Sequence, residues 1–313
     1  MEHKSNDLVI KGEYRPDIDG LRAFAVIVVI LNHFSKSILP SGYLGVDIFF
    51  VISGYVITSS LSARTSKNFK DFISGFFERR IKRLIPALIP FTLITAILIC
   101  FFNPYPSQSL KTGITSLFGL SNFYLLKIST DYFASSTLLN AFTHTWSLDV
   151  EEQFYIVFPL LIWFTGFGKK TKNSTRNLIL SSIFLISLSF VSYLYLFQIN
   201  QSAAYFLMPT RFWEMAAGCL AFLLIEKKFL FITFISKLNS VVIFILLAGV
   251  LFLPVSAALF TTMLVVFLTS VLIMCLKKGD RIYKLLTHAF SLHVGKISYS
   301  LYLWHWTVLC ISR

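Results

Sequence analysis

Apolar residues in this chain are gathered into long runs that short polar and charged segments separate. Nine of these runs have about the length at which an α-helix crosses the hydrocarbon core of a bilayer. They cover residues 20–38, 43–61, 84–102, 147–166, 178–197, 205–225, 239–253, 255–276 and 295–311. A further apolar segment, residues 114–126, is too short to span and is predicted to be re-entrant or interfacial. The pattern predicts an all-α, polytopic transmembrane helical bundle of about nine spans.

The composition agrees with a membrane domain. Hydrophobic residues make up 56% of the 313 residues and charged residues only 14%, which is more apolar surface than a soluble domain can bury. Polar and charged residues precede the first run, so we expect no cleavable signal peptide. No repeat or low-complexity tract divides the sequence. Residues 1–313 are therefore predicted to form a single membrane domain.

The net charge of +13 is explained by where the basic residues lie relative to the apolar runs. Lysine and arginine residues gather in alternate connections between the runs, within 62–83, 169–176, 227–237 and 277–296, and are sparse in the others. By the positive-inside rule this alternation places the amino terminus in the cytoplasm. It also accounts for the basic excess without a nucleic-acid partner.

Cysteine usage indicates neither disulfides nor a metal site. Cys100, Cys219, Cys275 and Cys310 lie within or at the edge of apolar runs, without paired spacing and without a neighbouring histidine. Such cysteines behave as small apolar side chains.

Two ionisable residues stand out in the first run, where such groups are costly and are functional candidates. Arg22 and His33 are eleven residues apart, so they share one helix face at a separation of roughly 16 Å. We predict that His33 accepts a proton, since imidazole does so near neutral pH. The alternatives are a packing hydrogen bond for His33 and an interfacial anchor for Arg22.

Acidic residues occur at the starts of two other runs. Asp47 opens the second run, where the helix dipole alone would favour a carboxylate. Asp149, Glu151 and Glu152 open the fourth run. Asp149 as N-cap, with Glu152 three residues later, would form an analogue of the capping box. Glu151 then exceeds what capping requires, and this excess suggests a role in proton transfer.

A dense basic cluster precedes the third run. It contains Arg79, Arg80, Lys82 and Arg83. We predict that it lies at the start of a helix, where guanidinium groups would bind a phosphate-rich ligand. The alternative is a topological signal that also touches anionic lipid headgroups.

Two later runs carry further polar candidates. Arg211 and Glu214, three residues apart, are predicted to form an intramembrane ion pair that holds helices together or contacts substrate. Tyr302 and His305 share one face of the last run. Their aromatic neighbours would be either a packing stripe or a wall on which a sugar stacks.

These placements give a phosphate-binding inner face and a polar cluster in the outer half. Such an arrangement suggests transfer of a group from a nucleotide-like donor in the cytoplasm to an acceptor on the far side of the membrane.

Six segments, in order along the chain, resemble motifs of the acyltransferase 3 family of bacterial integral-membrane O-acyltransferases. They are IDGLRAFAVIVVILNHF (18–34), GVDIFFVISGYVIT (45–58), the Arg-x-x-Arg element at 80 and 83, TWSLDVEEQFY (145–155), TRFWEMAAG (210–218) and ISYSLYLWHW (297–306). The similarity is greatest to the members that O-acetylate the O-antigen of lipopolysaccharide. It implies a multi-pass protein of the bacterial inner (cytoplasmic) membrane.

The resemblance also implies substrates and residue roles. The donor would be cytoplasmic acyl-CoA, usually acetyl-CoA, acting as co-substrate with no permanently bound cofactor, and the acceptor a hydroxyl of a periplasmic carbohydrate. We predict catalytic roles for His33, Glu152, Glu151 and Asp47, donor binding by Arg22, Arg79, Arg80 and Arg83, and acceptor binding by Arg211, Glu214, Tyr302 and His305. Two routes stay open, general-base activation of the hydroxyl by His33 and a covalent acyl-enzyme relay.

The sequence departs from the family pattern at three places. Asp149 replaces a small residue, Thr307 replaces a proline, and the chain stops at Arg313. Family members continue with at least one more span and often with an extracytoplasmic SGNH-hydrolase-like domain, which we expect to be absent. Two alternatives to an active acyltransferase are a proton-coupled transporter and an inactive truncated remnant.

Overall fold

The structure of the protein is a computed structural model. It describes residues 14–63, 66, 68–128, 140–169, 171–227 and 229–312. Across these residues the regular secondary structure is helical, without β-strands. The all-α prediction is therefore confirmed for the described part of the chain.

Fourteen α-helices follow one another along the described residues. They are α1 (Pro16–Phe34), α2 (Gly45–Ser62), α3 (Phe69–Phe102), α4 (Ser107–Ser116), α5 (Ser121–Lys127), α6 (Thr145–Phe164), α7 (Ser174–Ile199), α8 (Gln201–Phe206), α9 (Met208–Lys227), α10 (Leu230–Ile235), α11 (Ser240–Val250), α12 (Ala258–Cys275), α13 (Arg281–Leu286) and α14 (Ala289–Ile311).

Helices cover most of each of the nine predicted runs, although several boundaries differ. The helix α3 begins at residue 69, fifteen residues before the predicted span, because Asn68 caps its amino terminus by accepting a hydrogen bond from the Asp71 amide. The 205–225 prediction is divided between α8 and α9. The short 114–126 segment forms the end of α4 and most of α5, which turn at Gly119 with a φ of 68°.

In the part of the chain that the structure describes, five helical segments are long and apolar enough to cross a membrane, namely Gly42–Ser62, Phe69–Phe102, Ser174–Ile199, Gln201–Lys227 and Val255–Cys275. The helix α11 is apolar but shorter. Every 18-residue window of α1 or α6 contains three charged residues. The chain is thus a helical membrane-type protein, while the count of nine spans and the cytoplasmic amino terminus stay predictions.

Glycines allow two central helix pairs to approach closely. A Cβ atom at Gly218 of α9 would lie 1.9 Å from the Val51 carbonyl oxygen of α2, and one at Gly54 of α2 would lie 1.7 Å from the Met215 carbonyl oxygen. A Cβ at Gly295 of α14 would lie 2.0 Å from the Asp19 carbonyl oxygen of α1. Small residues of this kind let helix backbones pack together inside membranes.

The helix α3 lies at the periphery of the bundle. It exposes a row of large apolar side chains, including Ile89, Leu93, Ile97 and Phe101, as expected of a surface that faces lipid. Pro86 and Pro90 lie inside this helix. Its amino-terminal half carries the basic cluster, so α3 joins a polar segment to an apolar one.

Candidate active site

A cavity of about 660 Å³, partly open to its surroundings, lies among α1, α2, α3, α6 and α14. Its walls contain Arg22, Arg80, Arg83, Glu151, Ser53 and Tyr155 together with the mainly apolar and aromatic Val46, Phe49, Phe50, Leu148 and Tyr302. On α2 the lining runs from residue 46 to residue 56, a distance of about 15 Å along a helix. The cavity is therefore elongated, with a basic end and an aromatic end.

The basic end brings three predicted donor-binding arginines together. Arg22 donates from Nη1 to Asp19 Oδ1 at 2.8 Å, which fixes the guanidinium at the cavity wall. The Arg80 guanidinium lies 4.8 Å from the centre of the Tyr155 ring, a cation–π contact. Arg83 completes the group. Three cations at one end of a cavity form a site for an anionic ligand.

The prediction that this cluster lies at a helix start is wrong. Because α3 begins at residue 69, the arginines occupy its third and fourth turns, too far from the first turn for the helix dipole to act. Arg79 is exposed, and Lys82 forms an exposed ion pair with Glu78. The helix α3 therefore contributes charged side chains to the basic end of the cavity, and not a helix terminus.

The two neighbouring glutamates of α6 have different surroundings. Glu151 lines the cavity and accepts hydrogen bonds from the hydroxyl groups of Ser53 and Tyr155. Glu152 lies instead against Gly119 at the turn between α4 and α5. Of the pair, Glu151 is the carboxylate that faces the cavity.

Asp149 does not cap α6, in contrast to our prediction. The helix begins at Thr145 with His144 in the N-cap position, so Asp149 lies in the second turn. Its buried carboxylate accepts a hydrogen bond from the Ser121 amide at the start of α5. The acid that was predicted to cap the start of α6 therefore connects α6 to α5.

The aromatic end of the cavity is closed by Tyr302 and Ser147. Their hydroxyl groups are 2.7 Å apart, and both side chains are buried. Phe49 packs edge-on against the Tyr302 ring, with 6.1 Å between centroids. The Tyr302 ring also lies 5.3 Å from the imidazole of His305.

His33 is hydrogen-bonded to His305. The His33 Nδ1 and His305 Nε2 atoms are 2.9 Å apart, and His305 Nδ1 is 2.7 Å from the Tyr302 carbonyl oxygen. A carbonyl only accepts, so His305 Nδ1 carries a proton, and in a neutral ring Nε2 is then the acceptor. His33 Nδ1 therefore donates to His305, which leaves His33 Nε2 as the basic nitrogen.

A third histidine in this region was missed by the sequence analysis. His144 is fully buried, and its ring centre is 5.5 Å from that of His305 and 5.6 Å from that of Tyr302. Neither of its ring nitrogens has a hydrogen-bond partner among the described residues. A histidine immediately before the acid-rich TWSLDVEEQFY segment was the available signal. The pairing of His33 with His305, 272 positions apart, has no local signal.

Asp47, Arg211 and Glu214 form a buried ionic group on another side of α2. Arg211 Nη2 is 2.9 Å from Asp47 Oδ1, and Nη1 is 3.0 Å from Glu214 Oε1, as predicted for Arg211 and Glu214. The guanidinium also contacts the rings of Phe50 and Tyr205. Asp47 and Arg211 line a second, smaller cavity of about 330 Å³.

The four residues predicted to bind the acceptor thus lie in two places. Tyr302 and His305 belong to the group around His33, whereas Arg211 and Glu214 belong to the ionic group with Asp47. Asp47, predicted to be catalytic, is paired with Arg211 and lines the second cavity.

Comparisons with known proteins agree with the motifs. A sequence model of the acyltransferase domain family matches residues 15–313. The O-acetyltransferase OatA of Staphylococcus aureus (strain NCTC 8325 / PS 47) is 35% identical over 308 residues, which cover 95% of this chain and 51% of that protein. The peptidoglycan O-acetyltransferase OatA of Listeria monocytogenes serovar 1/2a (strain ATCC BAA-679 / EGD-e) is 32% identical over 315 residues, 96% of this chain and 50% of that protein.

The chain spans about half the length of these curated relatives. No solved structure matches it. The family model extends over the whole of α1 to α14 and includes all the residues that form the cavity and the histidine group. On these grounds the chain belongs to the acyltransferase 3 family of acyltransferase domains.

Proposed function

We propose that the protein is a membrane O-acyltransferase that moves an acyl group, most simply acetyl, from acyl-CoA to a hydroxyl of a cell-envelope carbohydrate. One observation carries this proposal. A single helix, α1, holds Arg22 at the basic end of the cavity and His33 in the histidine group, eleven residues and roughly 16 Å away. The spacing suits a donor that has phosphates at one end and a thioester at the other.

The cavity is suited to each part of such a donor. Arg22, Arg80 and Arg83 would bind the phosphates, because guanidinium groups match phosphate oxygens in charge and geometry. The pantetheine arm would extend along α2, whose lining residues cover about 15 Å, a length comparable to that of the arm. The thioester would then arrive at Tyr302 and Ser147, next to the histidine group.

The chemistry follows from the protonation of His33. Its Nε2 would remove the proton from the acceptor hydroxyl while the hydroxyl oxygen attacks the thioester carbon. The carbon–oxygen bond forms, the carbon–sulfur bond breaks, and the thiolate takes the proton back from His33. The products are the O-acyl carbohydrate and CoA with a free thiol. His305 would hold the His33 ring in the tautomer that this step requires.

The proposed placement in the cell follows the predicted topology. With the amino terminus in the cytoplasm, the basic end faces cytoplasmic acyl-CoA and His33 lies toward the outer surface of a bacterial cytoplasmic membrane. The name of the Listeria relative supports peptidoglycan as the acceptor polymer. The O-antigen of lipopolysaccharide, which the sequence motifs favoured, is the second candidate.

A membrane preparation that contains the protein tests this function. We expect release of the CoA thiol from acetyl-CoA that depends on an added glycan, and mass analysis to show O-acetyl groups on that glycan. His33→Ala should reduce the rate by about 10²- to 10⁴-fold, the usual contribution of a general base. His293→Ala is the matched control, since His293 is exposed at the start of α14.

Peptidoglycan fragments and O-antigen oligosaccharides, tested separately, distinguish the two acceptors. If neither glycan is acetylated and acetyl-CoA is not consumed, the proposal is wrong. A rate in His33→Ala equal to that of the wild type would remove His33 from the mechanism.

A further inference from the structure

Tyr302 lies at the boundary between the donor cavity and the histidine group. Tyr302 lines the cavity, and its ring also contacts His144 and His305. Neither of these histidines is among the described lining residues of the cavity. The Tyr302 ring is therefore the wall that an arriving acyl group would meet.

Hydrogen bonds hold this wall in place. The Tyr302 hydroxyl is 2.7 Å from that of Ser147 and donates to the His144 carbonyl oxygen at 3.3 Å. The Ser147 hydroxyl lies 3.2 Å from the same carbonyl, and its single proton serves either this carbonyl or the Tyr302 oxygen. Tyr302 is 4% exposed and Ser147 likewise 4%, so water offers little competition for these contacts. The wall is thus attached to the first turn of α6.

Bulky side chains confine the space in front of the wall. Val46 and Phe49 on α2, with Leu148 on α6, line this end of the cavity. Phe49 also packs against the Tyr302 ring. If the pantetheine arm fills the length along α2, little room is left for carbon atoms beyond the thioester.

We infer that Tyr302 is the specificity-determining residue that limits the transferred acyl group to a short chain. This inference rests on the proposed function, since it concerns the donor of that reaction. An acetyl group ends at the wall, whereas each added methylene would have to displace the ring or its Ser147 contact. Apolar pockets discriminate by about 10- to 200-fold per methylene in kcat/KM.

Kinetics with acetyl-, butyryl- and octanoyl-CoA test the inference. The wild type should use acetyl-CoA best and octanoyl-CoA least. Tyr302→Ala removes the wall and should raise the butyryl-to-acetyl ratio of kcat/KM by at least about tenfold. A ratio measured within one preparation does not depend on how much of the variant is folded.

Two other variants complete the experiment. Tyr299→Ala is the matched control, because Tyr299 lines the same cavity three residues earlier on α14, and its donor ratio should stay that of the wild type. Phe49→Ala widens the aromatic end of the cavity from α2 and should also raise the butyryl-to-acetyl ratio of kcat/KM. This variant tests the inference even if Tyr302→Ala is inactive.

The outcomes separate the inference from the function. Acetyl-CoA turnover with unchanged donor ratios in Tyr302→Ala and Phe49→Ala would overturn the inference and leave the acyltransferase intact. An equal shift in Tyr299→Ala would also overturn it, because the effect would then belong to the whole cavity. If the wild type consumed no acyl-CoA, the proposed function and the inference would both fall.

Discussion

Neighbouring residues of one helix can serve different parts of a site, and Glu151 and Glu152 illustrate this. A rotation of about 100° per residue directs Glu151 to the cavity and Glu152 to the turn at Gly119. Glu151 also links two helices, since it accepts hydrogen bonds from Ser53 of α2 and from Tyr155 of α6. The Tyr155 ring in turn supports Arg80. The Glu151 carboxylate therefore positions Tyr155, and through it Arg80, at the basic end of the cavity.

Replacing each glutamate by glutamine tests this difference. Glu151→Gln should reduce kcat/KM for acyl-CoA by about 10- to 100-fold, because a hydrogen bond to a charged group contributes about 1.5–3 kcal/mol. Glu152→Gln, the matched control, should remain close to the wild type. Equal losses in both variants, or a larger loss in Glu152→Gln, would contradict the assignment of Glu151 to the cavity.

At the scale of helices, the polar elements lie inside and the most apolar ones outside. The helices α1 and α6 carry Arg22 and Glu151 of the site, and each has three charged residues. The long apolar helices α3 and α7 are mostly exposed. Of the residues in the 18-residue apolar stretch of each helix, only 28% are buried in α3 and 22% in α7. Lipid-facing helices therefore shield the polar ones, which is how charged residues are tolerated at membrane depth.

The contact between α2 and α9 makes a stability prediction. Gly218→Ala would place a Cβ atom 1.9 Å from the Val51 carbonyl oxygen, so the two backbones must separate, at a cost of about 1–3 kcal/mol. We expect a lower Tm for the detergent-solubilised protein.

Gly249→Ala provides the control for this experiment. Gly249 lies in α11 with nothing within 4 Å of the added methyl group, so its Tm should be equal or slightly higher because alanine favours helix. A Gly218→Ala variant as stable as Gly249→Ala would show that α2 and α9 are not in close contact.

At the scale of the whole molecule, the direction of transfer depends on which way the bundle lies in the membrane. The proposed reaction has its two ends at different places in the bundle, with the arginines at one end of the cavity and the histidines beyond the other. The basic connections predict which end faces the cytoplasm. Under the proposed function, orientation decides whether the cavity would carry acyl groups out of the cytoplasm.

Cysteine labelling measures the orientation. In a background without the four native cysteines, Tyr105→Cys, between α3 and α4, should react with an impermeant maleimide in intact spheroplasts. Lys172→Cys, between α6 and α7, should react only after permeabilisation. Both positions are exposed. The reverse pattern would place the arginines outside and would exclude cytoplasmic acyl-CoA as the donor.

The sequence predicted more of the helices than of the site. Apolar run length located the long helices, and arginine clustering located the basic end, because both are properties of consecutive residues. Helix starts were predicted less well, as α6 shows, since it begins at Thr145, four residues before the acid that was predicted to cap it. The contact between His33 and His305 could not be predicted, because it depends on the packing of α1 against α14.

Pro86 and Pro90 of α3 have a mechanical consequence for the donor cavity. A proline supplies no amide proton, so the carbonyl groups of Lys82 and Pro86 lose their partners four residues ahead. Bending α3 at this level breaks fewer hydrogen bonds than bending it anywhere else along its length. Arg80 and Arg83 lie just before this level, on a helix that faces lipid over much of its surface. These two arginines therefore lie beside the most easily bent part of α3, and a donor that pushed this side of the cavity outward would leave in place the helices α1 and α14, which carry His33 and His305.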